Sequence, residues 1–226
     1  MTHKAWFATV AAFFLSCASA ATALPAEAAP APHFTGTQLV SALLPASYFG
    51  PGMSLLKDAT SDSGSHLEHG PARYSLAKSS CTDFYNQPLD WGETAMASDA
   101  IGNKAQTAWY SQEVFQFASS TAAAAFFHGS YNAFHRCAIA VLSGNGLTAR
   151  FTIQHIAAGR VGSFQSFTVD QTITFSSGSP HYNRIHYVYV LDGTDVYEVI
   201  PGSTTTPKTS AVVPIFNALR ARVGRL

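Results

Sequence analysis

The chain has 226 residues, enough for one domain with a substantial core and too few for two of ordinary size. Apolar residues make up 47% of it and charged residues only 12%, with 13 basic residues balanced by 13 acidic ones. That neutrality gives no sign of nucleic acid or an anionic membrane face as partner, and no apolar run reaches the roughly 18–20 residues needed to span a bilayer.

The N-terminus has the layout of a cleaved export signal. His3 and Lys4 precede an apolar stretch from Ala5 to Leu15, and small residues then offer A-x-A sites at Ala18-Ser19-Ala20, Ala21-Thr22-Ala23 and Ala26-Glu27-Ala28. Residues 1–28 are therefore read as signal peptide, 29–34 as an Ala/Pro-rich tether and 35–226 as the folded domain of a secreted protein. Phe14-Leu15-Ser16-Cys17 loosely resembles a bacterial lipobox, so lipid tethering at the cell surface through Cys17 is the alternative to a cysteine lost with the signal. The mature chain keeps Cys81 and Cys137. In an oxidising compartment such a pair predicts a disulfide. It would close a loop of about 57 residues, a constraint worth roughly 4 kcal/mol. A reactive thiol or metal ligand is the other reading, and the lack of C-x-x-C spacing argues against it.

In chain order, Thr35-Gly36-Thr37 caps a short helix carrying Leu39, Val40, Leu43 and Leu44, which Pro45 ends. Ser61 to Gly70 is a Ser/Gly/His loop, and Thr107 to Phe117 reads as a strand of mixed alternation. Ser119-Ser120-Thr121 caps the clearest helix. Its stripe is Ala123, Phe127, Ser130 and Phe134, with Phe126, Ala133 and Cys137 beside it and His128, Asn132 and His135 opposite. Leu147 to Gln154 and Phe167 to Phe175 alternate as half-buried antiparallel strands, with Gln171 facing inward. Ile185 to Leu191 is apolar on both faces and should be central. Asp192-Gly193 turns it into Val196–Ile200. Val212, Ile215, Phe216, Leu219 and Val223 form a closing helix expected to start near Val213, because Pro214 suits a first turn. Arg220, Arg222 and Arg225 lie at its end, where cations favour the helix dipole. There is no internal repeat. The fold class is α+β: a single domain with a twisted antiparallel sheet flanked by helices.

No G-x-S-x-G elbow, P-loop or G-x-G-x-x-G is present. A Ser/His/Asp hydrolase remains open, because a triad is a spatial fact; its mark would be a histidine within hydrogen-bond reach of Ser or Asp in a pocket. His66 and His69, flanking Glu68, lack a third ligand at metal-binding spacing and read as exposed loop histidines. His128 and His135 read as the solvated side of their helix. His181, Arg184 and His186 read as a strand edge carrying polar residues for solubility. No metal or cofactor is implied. Tyr182, Tyr187, Tyr189 and Tyr197 gather on the last hairpin, with Trp109 and Tyr110 on an earlier strand. Such residues suit either the wall of an apolar cleft or a sheet covered by helices. Trp109, Tyr110, Tyr187 and Tyr189 are the candidate ligand contacts.

The run from Tyr110-Ser111-Gln112-Glu113 through the Ala-rich helix and its Phe126-Phe127 pair to Phe134-His135-Arg136-Cys137 resembles the PknH-like extracellular sensor family of actinobacterial kinases and lipoproteins. Leu39-Val40-Ser41-Ala42-Leu43-Leu44-Pro45, Cys81 and the closing helix fit the same pattern, from about Thr35 to the C-terminus. The resemblance implies helices flanking an antiparallel sheet around a cleft, a ligand-sensing role and a structural Cys81–Cys137 pair. It supplies no catalytic residues. Family members often carry a second disulfide late in the domain, and no cysteine follows Cys137 here; a kinase domain is also lacking. The expectation is a non-catalytic, exported binding domain for a small or amphiphilic envelope ligand. The alternatives are a surface module contacting another protein without a ligand, and a secreted hydrolase.

Overall fold

The computed structural model describes residues 33–62, 92–144, 147–176 and 183–226. Chain alternation decides the layout. Strands β1 (Met53–Asp62), β2 (Glu93–Asn103) and β3 (Ala108–Phe117) precede helix α2 (Ser120–Arg136). Strands β4 (Ile139–Gly144), β5 (Leu147–Val161), β6 (Phe164–Phe175), β7 (Arg184–Asp192) and β8 (Asp195–Ser203) follow it. Helix α1 (Gly36–Ala42) opens the described region and α3 (Thr209–Val223) closes it. Among the described residues the strands form one eight-stranded sheet in the order β1-β2-β3-β8-β7-β6-β5-β4. Every pairing is antiparallel. The expected α+β class is therefore present. Cys137 is buried at the C-cap of α2, while Cys81 lies outside the described residues.

The sheet separates two cores because successive side chains point to opposite faces. On one face Val114, Val188, Val190, Tyr197 and Val199 meet Leu39 and Leu43 from the α1 segment and Val212, Phe216 and Leu219 from α3. On the other face Phe115, Phe117, Phe167, Tyr189 and Val196 meet Ala123, Phe126, Phe127 and Phe134 of α2. The stripe expected for α2 is the one it buries, and His128, Asn132 and His135 are exposed. Ser119 Oγ accepts from the Ala122 amide, so the expected cap is the true one. Thr35 and Gln38 make a reciprocal capping box on α1.

Two expectations change, and the arginines expected at the end of the closing helix do more than favour its dipole. Helix α3 begins at Thr209, not near Val213, so Pro214 sits in its second turn. The exposed ring costs the helical hydrogen bond to the Ser210 carbonyl, and the Pro214 carbonyl separately accepts from Tyr48 Oη at 3.1 Å. Two of the terminal arginines act beyond their own helix. Arg222 donates to the Ser41 and Ala42 carbonyls, 2.7 Å each, satisfying the end of α1, while Arg220 pairs with Asp192 and lies over the Phe164 ring. Finally, His186 is no edge residue: β7 runs between β6 and β8, and His186 is 4% exposed. His181, His66, Glu68 and His69 lie outside the described residues.

Candidate functional site

Strand β3 explains its own mixed alternation by carrying buried polar residues on both faces. Toward α1, Gln112 and Gln116 act as struts. Gln112 Nε2 donates to the Leu44 carbonyl at 2.7 Å and its Oε1 accepts from the Leu44 amide at 2.9 Å. Gln116 Oε1 accepts from the Phe34 amide at 2.6 Å, and its Nε2 reaches Asp195 at 3.2 Å. These glutamines dock the entering chain onto the sheet by satisfying its backbone.

The other face is different in kind. Ser98, Glu113, Glu198, Tyr189 and Phe167 form one row across β2, β3, β8, β7 and β6, each paired with the next in register. Glu113 and Glu198 are thus directly opposed carboxyls, at the distance where like charges destabilise a sheet. Burial, and then the charge of Glu113, holds the Glu198 carboxyl well above the usual carboxylate range, against the pull of a hydrogen bond with Tyr189. Burial first, then Glu198, likewise pushes the Tyr189 hydroxyl up, so it stays a neutral donor. Ser111 Oγ lies 3.2 Å from Glu113 Oε1. Tyr187 Oη donates to Gln171 Oε1 at 3.0 Å, and Gln171 is 2% exposed.

This polar floor is set in apolar walls. Tyr189 stacks on Phe167 with centroids 4.5 Å apart, and Phe134 of α2 closes on Tyr187 at 5.3 Å. Trp109, Phe151 and Tyr187 pack around Ile173, Ile185 and Ile200. The structure therefore brings Trp109, Tyr187 and Tyr189 to one face. It does not bring Tyr110, which packs on Phe49 at 4.9 Å in the opposite core, nor Tyr197, which meets Phe216 there at 5.3 Å. Tyr182 lies outside the described residues. Sequence reasoning missed Ser111, Glu113 and Glu198. Their one trace was a central strand with polar residues at both parities.

One histidine is built into a network. His186 Nδ1 lies 2.6 Å from Asp170 Oδ1, and its Nε2 lies 3.0 Å from Thr209 Oγ1 at the start of α3. This histidine meets the mark set for a hydrolase, yet the order is reversed. Asp170 lines a surface cleft and Thr209 does not, whereas activation of a nucleophile requires the hydroxyl to face the substrate. Among the described residues no group of three or more His, Cys, Asp or Glu side chains could hold a metal ion, and no helix is long and apolar enough to cross a membrane.

A single antiparallel sheet with one helix across one face and two across the other, and a buried polar floor beneath the single helix, is the architecture at hand. It is the fold of the extracellular domain of PknH from Mycobacterium tuberculosis. The chain aligns with that domain over 87% of its own length and 98% of the other, at a TM-score of 0.62 and 16% identity. An uncharacterised protein from Mycobacterium smegmatis aligns over 84% and 97%, at a TM-score of 0.43 and 12% identity. No family model matches the chain, and no curated protein matches its sequence. The resemblance read from α2 and its flanks is thus present in the fold.

Proposed function

We propose that this chain is an exported, non-catalytic, sensor-like binding domain that takes a small or amphiphilic ligand in a cleft on the α2 face. Trp109, Tyr187 and Tyr189 are its aromatic contacts, and Tyr110 leaves that set. One observation carries the reading: a central sheet face spends stability on two opposed carboxyls, the buried Glu198 and the half-buried Glu113, where apolar residues would pack without cost. Groups held at such a cost are characteristic of binding sites. A protonated Glu198 and the Tyr189 hydroxyl offer donors, Glu113 offers an acceptor, and the rings offer an apolar wall. The fold shared with an extracellular domain supports placement outside the cell. The signal at residues 1–28 and the Cys81–Cys137 bridge are part of the same proposal.

Native mass spectrometry of the protein purified from its own secretion route tests this reading. The expected result is a retained non-protein mass that is lost in Trp109→Ala, on a chain cleaved before the folded domain. The same intact mass reads lipidation at Cys17 and the two-proton loss of a disulfide. An empty protein, or a ligand retained equally by Trp109→Ala, overturns the binding reading. Leu55 and Leu56, 47% and 56% exposed on the edge strand β1, favour the second reading, contact with a surface protein. An empty protein that captures a partner through β1, and loses it in Leu56→Lys, would establish that one.

A further inference from the structure

The cleft beside Asp170 lies on the α3 face, opposite the aromatic floor. It holds about 230 Å³, below the usual range for drug-sized ligands; Gln154, Asp170, Gln171, Thr172, Arg184 and Thr206 supply its polar lining and Ile185 an apolar one. Its charged groups are arranged with unusual care. A neutral imidazole satisfies both His186 contacts when Nδ1 donates to Asp170 Oδ1 and Nε2 accepts from the Thr209 hydroxyl. A buried histidine anchored at both nitrogens therefore fixes the carboxylate, and Asp170 Oδ2 has no hydrogen bond among the described residues. Across the strand pair, Asp170 stands opposite His186 and Thr172 opposite Arg184, which makes Arg184 the diagonal neighbour of Asp170 on the same face. The two nevertheless form no ion pair, and Arg184 pairs with no acid among the described residues. The third side is shaped by a register shift between Ile153 and His155, where Gln154 is the extra residue of a β-bulge. Its Nε2 turns to within 3.3 Å of Thr172 Oγ1, on the cleft side.

We propose that this cleft binds a small zwitterion of free amino acid size. The guanidinium of Arg184 takes the carboxylate in a bidentate contact, and Asp170 Oδ2 accepts from the ammonium. Thr172 and Thr206 supply hydroxyls to the remaining polar atoms. The charge pattern selects this class over its neighbours. A simple anion on Arg184 faces Asp170, and a simple cation on Asp170 faces Arg184; a ligand carrying both charges satisfies both. The volume admits a compact side chain and excludes a peptide.

Isothermal titration calorimetry of the mature protein with each standard amino acid tests the proposal, with acetate and methylammonium as single-charge controls. At least one amino acid should bind saturably with a Kd between about 1 μM and 1 mM, and neither control should. Arg184→Gln, a half-buried rim position that leaves the His186 network intact, should weaken that binding about tenfold or more. Asp170→Asn should do the same provided it folds. Tyr189→Phe, on the other face and away from every residue that lines the cleft, should leave the Kd unchanged, so the two sites stand or fall separately. No heat from any amino acid up to about 10 mM, a Kd unchanged in Arg184→Gln, or a loss caused by Tyr189→Phe overturns the site.

Discussion

Gln112 and Glu113 are neighbours on one central strand, and they show two opposite uses of a polar residue inside a sheet. Gln112 points toward α1 and is 0% exposed, with backbone partners on both ends of its amide, so it fastens one piece of chain to another. Glu113 points toward α2 and faces a second carboxyl that burial keeps from ionising freely. The first arrangement closes the hydrogen-bonding needs of both partners. The second sets two carboxyls against one another in a polar floor walled by rings, with the Tyr189 and Ser111 hydroxyls as their hydrogen-bond partners. Buried polarity by itself therefore says little about function; the identity of its partners separates a strut from a site.

The contrast extends to how each face is held, and the largest effect should come from there. Cys137 ends α2, so a bridge to Cys81 would restrain the α2 face covalently, whereas α1 and α3 are fastened by Gln112, Gln116 and Arg222. Cys81→Ala should lower stability by about 4 kcal/mol under non-reducing conditions, seen as a large fall in the melting temperature. A melt equal to that of the unaltered protein would refute a structural disulfide. Gln112→Leu comes next. It strands the Leu44 amide and carbonyl and removes the donor to Asp99 Oδ2, 3.1 Å away, so urea unfolding should register a loss of about 3 kcal/mol. Glu113→Gln, one residue on, should be neutral or stabilising, because it takes a like charge away from Glu198. Equal losses in the two variants would erase the distinction between strut and site.

A smaller effect than that of Gln112 belongs to Asp99, also on the strut side. Its Oδ1 is buried without a hydrogen-bond partner among the described residues, and burial pushes its pKa up to about 6, against the opposing pull of Gln112. Because the folded value exceeds the ordinary 3.8, folding favours the protonated form. The penalty is complete above about pH 6 and is relieved as pH falls toward 3.8. Asp99→Asn should therefore add about 1–2 kcal/mol at neutral pH and flatten stability across that window. Denaturant titrations at pH 7 and pH 4 read both; an unchanged slope between them would place the proton elsewhere.

Local patterns were enough for the elements. Ser119 ahead of an Ala-rich stripe, Thr35 three residues before Gln38, and the Asp192-Gly193 turn are short-range chemistry, legible because each residue's partner lies within four positions. The alternation of β6, including the inward Gln171, was legible for the same reason: one buried face imposes a period of two. Pro214 misled because α3 tolerates a proline in its second turn, where the ring is exposed and packing of Val212, Phe216 and Leu219 outweighs one lost bond.

What the sequence by itself determined is the α+β composition of the domain, the buried stripe of α2 and the resemblance carried by that helix and its flanks. What only the tertiary structure decided is which polar residues meet. Asp170 and Thr209 flank His186 from 16 and 23 positions away, Glu113 opposes Glu198, and Tyr110 parts company with Trp109 beside it. Those outcomes depend on strand order and register. A shift of one residue turns every side chain of a strand to the other face, and no local propensity encodes the neighbour it finds there.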